Sequence, residues 1–398
     1  MRKPVILVFC DYYLPGTQSG GALRTLENMV EYLGDRFEFR FVTRDRDINS
    51  TVSYPSVRIG DWNVLTRESV YYAPPSDQSI YGMARILRNT PHSAIYLNSF
   101  FSLPFSVFPL LAMRLGLAPR RPVLLAPRGE LSQGALANKV RGKTAFLKIT
   151  RWFGIYRGIE WQASTVLEQA ELARWFGPKA RVTVACDFPA KPSQVALERR
   201  GKHRGEVRLV FLSRIDFKKN LLGALEMASR LRGNITFDIY GPVADAPYWE
   251  VCRDKITKMP AHVVVRHLGQ VDTRQVERIF SRYDLFLFPT LGENFGHVIL
   301  ESLSAGTPVL LSDRTPWNEL ETEKVGWSVP LNEPERFDEI LHRMVDMGPE
   351  EYGIMSANAV RYALRVKENP GIFDENLAMF SALLLKAEQT TLAPDSAE

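Results

Sequence analysis

The residues of this 398-residue sequence best equipped for chemistry lie in the stretch YDLFLFPTLGENFGHVILESLSAGTPVLLSD, residues 283–313. An apolar run ends at Pro289 and Thr290, and LGENFG leads into a helical pattern that Gly306 is suited to close. A strand passing into a helix in this way leaves first-turn amides without intrahelical acceptors and adds the positive end of the helix dipole. Asn294, Phe295, Gly296 and His297 therefore outline an anion site sized for a diphosphate, with Gly296 allowing close approach. His297 offers its backbone N–H there rather than an acid or base.

Glu293 precedes this helix and Glu301 lies inside it, about 12 Å apart if every intervening residue is helical. A carboxylate only accepts hydrogen bonds, so it suits a vicinal diol and repels a phosphate. Carboxylates on either side of an anion site fit a sugar, a diphosphate and a ribose in that order, the layout of a nucleotide sugar.

A second strand-to-helix loop, SRIDFKKN, carries Arg214 and Lys219, whose cationic heads converge on one diphosphate if the turn is tight and would stabilise it as a leaving group. Alone, the pair reads first as a solvated basic turn; beside the 283–313 segment the binding reading is preferred. A third loop places Gly20 and Gly21 before the first helix, where close ligand approach or a tight turn both call for glycine. Trp317 lies past a strand end, as a pocket wall or as packing.

Several patterns are rejected. Gly142, Lys143 and Thr144 end like a phosphate-binding loop, but Ala137 stands where its first glycine is required. Asp45, Arg46 and Asp47 are read as solvated charge rather than a metal site. GxSxG, HExxH and GxGxxG are absent from the sequence.

These loops need elements to hold them. PVILVFC, FEFRFVT, SAIYLNSF, RPVLLAPRG, STVLE and ARVTVACDF read as strands alternating with helical patterns, the first helix capped by Gly34. The near-continuous Val, Ile and Leu predicts parallel sheets covered on both faces. After a basic, proline-containing stretch the alternation restarts with VRLVFLSR, ITFDIYG, HVVVRHLGQV, YDLFLFPT, TPVLLSD and WSVPL. The expected organisation is an α/β domain over 1–190, a linker over 191–205, a second α/β domain over 206–350, and a helical tail over 351–398 returning to the first. Ligands of such sheets bind beyond the carboxyl ends of the strands, and two domains in tandem would enclose a cleft.

The chain is 45% hydrophobic and 24% charged, with net charge +5. Its length exceeds one comfortable core. Cys10, Cys186 and Cys252 lack metal-ligand spacing and suit a reducing, cytoplasmic compartment. The N-terminal apolar run is too short for a signal sequence, and no run approaches the about 18 residues of a membrane span. Between Glu130 and Glu160 six cations and no acids occur, with Phe146, Ile149, Phe153 and Tyr156 at helical spacing. Residues 139–157 thus read as a helix with a solvated basic face and a core-facing apolar one, or as a peripheral contact with the inner face of an anionic membrane. Nucleic acid is not among the expected partners.

Taken together, the motifs resemble those of the retaining glycosyltransferases of family 4, whose GT-B fold pairs two Rossmann-like doubly wound parallel-sheet domains across a central cleft. The resemblance covers nearly the whole chain and is carried by ENFGHVILE, an EX7E segment, and by SRIDFKKN. It implies that Glu293 contacts donor-sugar hydroxyls, Glu301 the ribose, Arg214 and Lys219 the diphosphate, and backbone near Val271 the nucleobase. It implies a metal-independent enzyme without a cofactor, using a nucleotide-diphosphate sugar and a glycan or lipid-linked acceptor, as in surface polysaccharide assembly. Where many members carry a histidine near the anomeric carbon, this chain reads LLAPRGEL, which puts Arg128 at the reacting centre or leaves it a structural salt-bridging arginine. ACDFPA replaces a common asparagine-containing turn. Sugar-nucleotide epimerase and non-catalytic nucleotide-sugar-binding partner of an active transferase stand as the alternatives.

Overall fold

The computed structural model describes residues 3–17, 19–48, 50–137, 140–192 and 200–392. The chain forms two compact units, residues 1–188 with 370–398, and residues 189–369. Residues 193–199, the middle of the expected linker, lie outside the described residues.

The first unit is built on eight strands, β1 (Val5–Phe9), β2 (Glu38–Arg44), β3 (Trp62–Val64), β4 (Ser69–Ala73), β5 (Ala94–Leu97), β6 (Val123–Leu125), β7 (Glu160–Ala163) and β8 (Val182–Val184), in the spatial order β3-β4-β2-β1-β5-β6-β7-β8. In β1 the five residues VILVF are all buried, and the pleat sends them alternately to two separate cores: Leu7 and Phe9 to one, Ile6 and Val8 to the other. A sheet apolar on both faces must be covered on both, which the helices do. Helix Gly21–Leu33 presents Leu23, Leu26, Val30 and Leu33, spaced by three and four, to the second of these cores. Helix Pro370–Leu392 adds Ile372, Met379, Phe380 and Leu383 to the same face. Asn376 Nδ2 fastens it by donating to the Cys186 carbonyl at 2.8 Å.

The second unit carries β9 (Glu206–Leu212), β10 (Asn234–Tyr240), β11 (Val263–His267), β12 (Leu285–Phe288), β13 (Val309–Ser312) and β14 (Gly326–Val329), ordered β11-β10-β9-β12-β13-β14 and parallel throughout. The order reverses between β9 and β12, so the loops leaving these two strands lie side by side at the switch point of the sheet. Those loops are SRIDFKKN and LGENFG.

The structure corrects four expectations. STVLE is not a strand: Thr165 caps helix Val166–Phe176, its hydroxyl accepting from the Glu168 amide, and the strand is the preceding EWQA. The first sheet is not wholly parallel, because β3 pairs antiparallel with β4. The tail does not start at 351. Helix Pro349–Lys367 stays with the second unit, Ser356 donating to the Gly306 carbonyl at 2.6 Å and Tyr352 to the Tyr283 carbonyl at 3.1 Å, and only residues from Pro370 onward join the first. Finally, Asp45 is not solvated; it is buried against the Arg46 guanidinium, with contacts of 2.8 and 2.9 Å.

Candidate functional site

In the second unit β12 ends at Phe288, and residues 289–296 cross to helix His297–Ser304. Glu293 to Gly296 are not helical, so Glu293 stands on the loop and Glu301 in the second turn of the helix. Gly296 occupies the cap with φ +79°, a left-handed conformation open to glycine. A Cβ there would meet Ile299 Cδ1 at 2.7 Å. Phe295 and His297 are buried, and Trp317 Nε1 donates to the Phe295 carbonyl at 2.7 Å while its ring packs 5.9 Å from that of Phe295. Trp317 thus braces the turn that starts the helix.

The neighbouring loop is laced to this one. Asp216 and Asn220 shape a single 3-10 turn over Phe217–Lys219, Asp216 by capping the Lys219 amide and Asn220 by adopting φ +57°. Asn220 Nδ2 donates to the Pro289 carbonyl at 2.8 Å, and the Lys218 carbonyl accepts from the Leu291 amide at 2.8 Å and the Thr290 hydroxyl at 3.1 Å. These bonds bring residues about 74 apart in sequence together: Lys219 Nζ forms an ion pair with Glu293 Oε1, both side chains nearly enclosed. Burial alone would push the Glu293 carboxyl up, but Lys219 and then Lys218 outweigh it and hold it below the usual glutamate range. Arg214 is exposed, its guanidinium 3.9 Å from Asp216.

Thus Lys219 and Glu293 are paired, with Arg214 on the same loop as Lys219 and Asn294, Phe295, Gly296 and His297 on the same loop and helix start as Glu293. Half-buried Glu301 follows on the helix. Val271 stands on the loop after β11, where Gly241 N donates to the Gly269 carbonyl at 2.8 Å. Sequence reasoning missed Lys218, although the tandem KK was there to be read.

In the first unit, Arg128 is not a free catalytic group. Its backbone has φ +55° and its side chain, 8% exposed, is consumed by neighbours. Nε donates to Asn98 Oδ1 at 2.7 Å, Nη2 donates to the Tyr96 hydroxyl, and Nη1 pairs with Asp187. Asp187 also accepts from the Ser164 hydroxyl at 2.8 Å. The rest of the PRGE turn is equally fixed: Gly129 N donates to Glu168 at 2.6 Å, and Glu130 accepts from the Phe100 and Phe101 amides at 2.7 and 3.1 Å. The salt-bridging reading of Arg128 is the one its geometry supports. Gly20 caps the first helix at φ +64°, with open space where a Cβ would stand, and Gly21 is already its first residue.

Of the basic stretch, helix Val140–Trp152 is described, Lys139 lies outside the described residues, and Lys143 donates to the Ala135 carbonyl at 2.6 Å. The apolar residues divide in an unexpected way. Leu147, Ile155 and Tyr156 are buried, whereas Ile149, Trp152 and Phe153 are 53%, 84% and 69% exposed beside exposed Lys148, Arg151 and Arg157. Among the described residues no helix is long and apolar enough to cross a membrane, and no group of three His, Cys, Asp or Glu is gathered as metal ligands would be.

Residues 195–362 match the family of glycosyl transferases group 1. That segment contains both loops described above. Among curated proteins, 101 residues are 34% identical to a phosphatidyl-myo-inositol mannosyltransferase of Mycobacterium leprae, covering 24% of this chain and 27% of that protein. Another 96-residue match, 31% identical, is to a processive diacylglycerol alpha-glucosyltransferase of Acholeplasma laidlawii, over 24% of this chain and 28% of that one. The chain therefore spans only about a quarter of the length of these relatives. Solved structures match end to end: HepE of Anabaena, in complex with UDP and glucose, has TM-score 0.69 at 15% identity over 95% of this chain and 100% of its own. Sucrose-phosphate synthase of Thermosynechococcus elongatus has TM-score 0.68 at 15% identity, over 97% and 100%. At that identity the likeness shows the fold, which is GT-B, and nothing finer.

Proposed function

We propose that this chain is a family 4 retaining glycosyltransferase that moves a sugar from a nucleotide-diphosphate donor to a glycan or lipid-linked acceptor. The observation that carries the reading is the Lys219–Glu293 pair at the start of helix His297–Ser304, inside the segment that matches glycosyl transferases group 1. Lys219, Arg214 and the helix start receive the diphosphate. Glu293, kept ionised by Lys219, accepts from donor-sugar hydroxyls, and Glu301 accepts from the ribose. As the bond from the anomeric carbon to the β-phosphate oxygen breaks, its electrons pass to that oxygen, where the fixed cations stabilise them. The acceptor hydroxyl bonds to the same face of the carbon and its proton goes to the departing phosphate. The cations and helix dipole take the part a divalent metal would otherwise play. Arg128 holds the PRGE turn in place rather than touching the sugar.

The named relatives that act on phosphatidyl-myo-inositol and diacylglycerol favour a lipid-linked acceptor. The exposed Ile149, Trp152 and Phe153, with Lys148 and Arg151 beside them, support peripheral contact of a cytoplasmic protein with an anionic membrane face.

The deciding experiment is a thermal-shift panel of UDP, GDP, ADP and dTDP sugars, followed by transfer with the stabilising donor to lipid and glycan acceptors and NMR of the product anomer. A product with the donor's anomeric configuration is expected. An inverted anomer overturns retention; an isomerised donor formed without acceptor identifies an epimerase instead; tight donor binding with no product identifies a binding partner.

A further inference from the structure

Lys218 is the one cation of the SRIDFKKN loop to which the mechanism above gives no task. Its backbone is pinned to the Glu293 loop through the Leu291 amide and the Thr290 hydroxyl, so it cannot move away from the site without breaking both bonds. Its side chain is half-buried. The carboxylates in reach are already engaged. Glu293 belongs to Lys219, while Asp216 accepts from the Lys219 amide at 3.2 Å and stands 3.9 Å from Arg214. Among the described residues Lys218 Nζ has no ion-pair or hydrogen-bond partner. An ammonium partly shielded from water and without a counter-ion is unfavourable. Desolvation, with Lys219 beside it, lowers the Lys218 pKa from the usual lysine value, and Glu293 and Asp216 offset this only in part.

We propose that Lys218 is a third phosphate-binding cation, whose ammonium meets the diphosphate oxygens of the donor and receives from them the counter-ion that the ligand-free protein does not provide. This rests on the donor reading above. It sets Lys218 apart from Lys219, which must exchange Glu293 for the ligand or share it, whereas Lys218 gains a partner outright. Anion binding then requires the charged ammonium, so affinity falls as pH rises through the lowered Lys218 pKa.

The test is calorimetric titration of the full chain with UDP, GDP, ADP and dTDP and with the corresponding monophosphates, for wild type, Lys218→Met and Lys218→Arg. Lys218→Met is expected to weaken the preferred diphosphate at least tenfold and its monophosphate less than threefold. Lys218→Arg should bind like wild type at pH 7.5 but keep its affinity to pH 9.5, where wild type weakens. In the ligand-free state Lys218→Met should melt no lower than wild type, because an unpaired cation has been removed. Wild-type diphosphate affinity in Lys218→Met, or a pH profile shared by wild type and Lys218→Arg, overturns the assignment and leaves the donor reading standing. So does a ligand-free Lys218→Met that melts lower, which makes the lysine a structural one. If wild type binds none of the four diphosphates, the donor reading falls and this assignment falls with it.

Discussion

Lys219 and Glu293 neutralise each other in the ligand-free protein, and each keeps the other ready: the ammonium holds the carboxyl ionised, and the carboxylate aims the ammonium. Lys219→Ala is expected to lower kcat on the order of 10²-fold with a smaller change in KM, since the charge it opposes grows only as the phosphate leaves; equal kinetics for the variant would remove Lys219 from the mechanism. Glu293→Gln leaves that ammonium uncompensated and should destabilise the protein by about 1 to 3 kcal/mol at pH 7. The pH dependence follows in sign. A carboxyl lowered by folding contributes stability that is complete above its unfolded value of 4.5 and is lost as pH falls through its lower folded value. The melting difference between wild type and Glu293→Gln should therefore narrow only below pH 4.5, and a gap that stays constant from pH 7 to 3 would show that the pair contributes nothing. These residues were legible in the sequence because each motif is local, a strand end, a glycine and a charge within a few positions. Arg128 was not, because what decides its role is Asp187, Tyr96 and Asn98, which lie 59, 32 and 30 residues away and are brought in by the ends of two other strands, β5 and β8.

At the scale of elements, most strands announced themselves as uninterrupted apolar runs, since both faces of a parallel sheet are buried. The misread STVLE fails that test on inspection. Thr165 and Glu168 have the T-x-x-E spacing of a helix start, and the hydroxyl of Thr165 does cap the Glu168 amide, while the Glu168 carboxylate clamps Gly129 and Ser164 instead of closing the box. The division of the C-terminal helices was beyond sequence reading, because Pro349–Lys367 and Pro370–Leu392 each bury some of their side chains and only the partners of those side chains distinguish them. Phe380 on the last helix is fully buried among Phe37, Phe39 and Tyr96, with ring centroids 5.7, 6.1 and 5.5 Å away. Phe380→Ala should therefore cost about 3 to 5 kcal/mol in the first unit. Residues 189–369 hold none of these contacts, so nucleotide binding at the Glu293 site should persist under conditions where the variant's first unit has melted. Two calorimetric transitions, the lower one alone shifted by the substitution and the upper one alone raised by nucleotide, are the expected result; a single transition would mean that the units unfold together.

For the molecule as a whole, the net charge of +5 matters less than where the cations stand. Arg208, Arg230 and Arg266 each face an aspartate, whereas Lys148 and Arg151 border three exposed apolar side chains on one helix end. Water is a poor solvent for Trp152 at 84% exposure and Phe153 at 69%, and a headgroup layer accepts both an indole and a cation. The turn that follows is held firmly, Arg114 donating to the Ile155 carbonyl at 3.1 Å and to the Arg157 carbonyl at 2.6 Å, so these side chains are presented on a fixed support. Co-sedimentation with phosphatidylglycerol-containing vesicles should exceed that with phosphatidylcholine alone and weaken with salt. Each of Lys148 and Arg151 contributes about 1 kcal/mol near an anionic surface, so replacing both with Ser should reduce binding about thirtyfold. Trp152→Ser with Phe153→Ser should abolish binding even at low salt while leaving nucleotide affinity unchanged, because these residues belong to the first unit and the Glu293 site to the second. Equal sedimentation of wild type and the double aromatic variant would show that the patch meets something other than lipid.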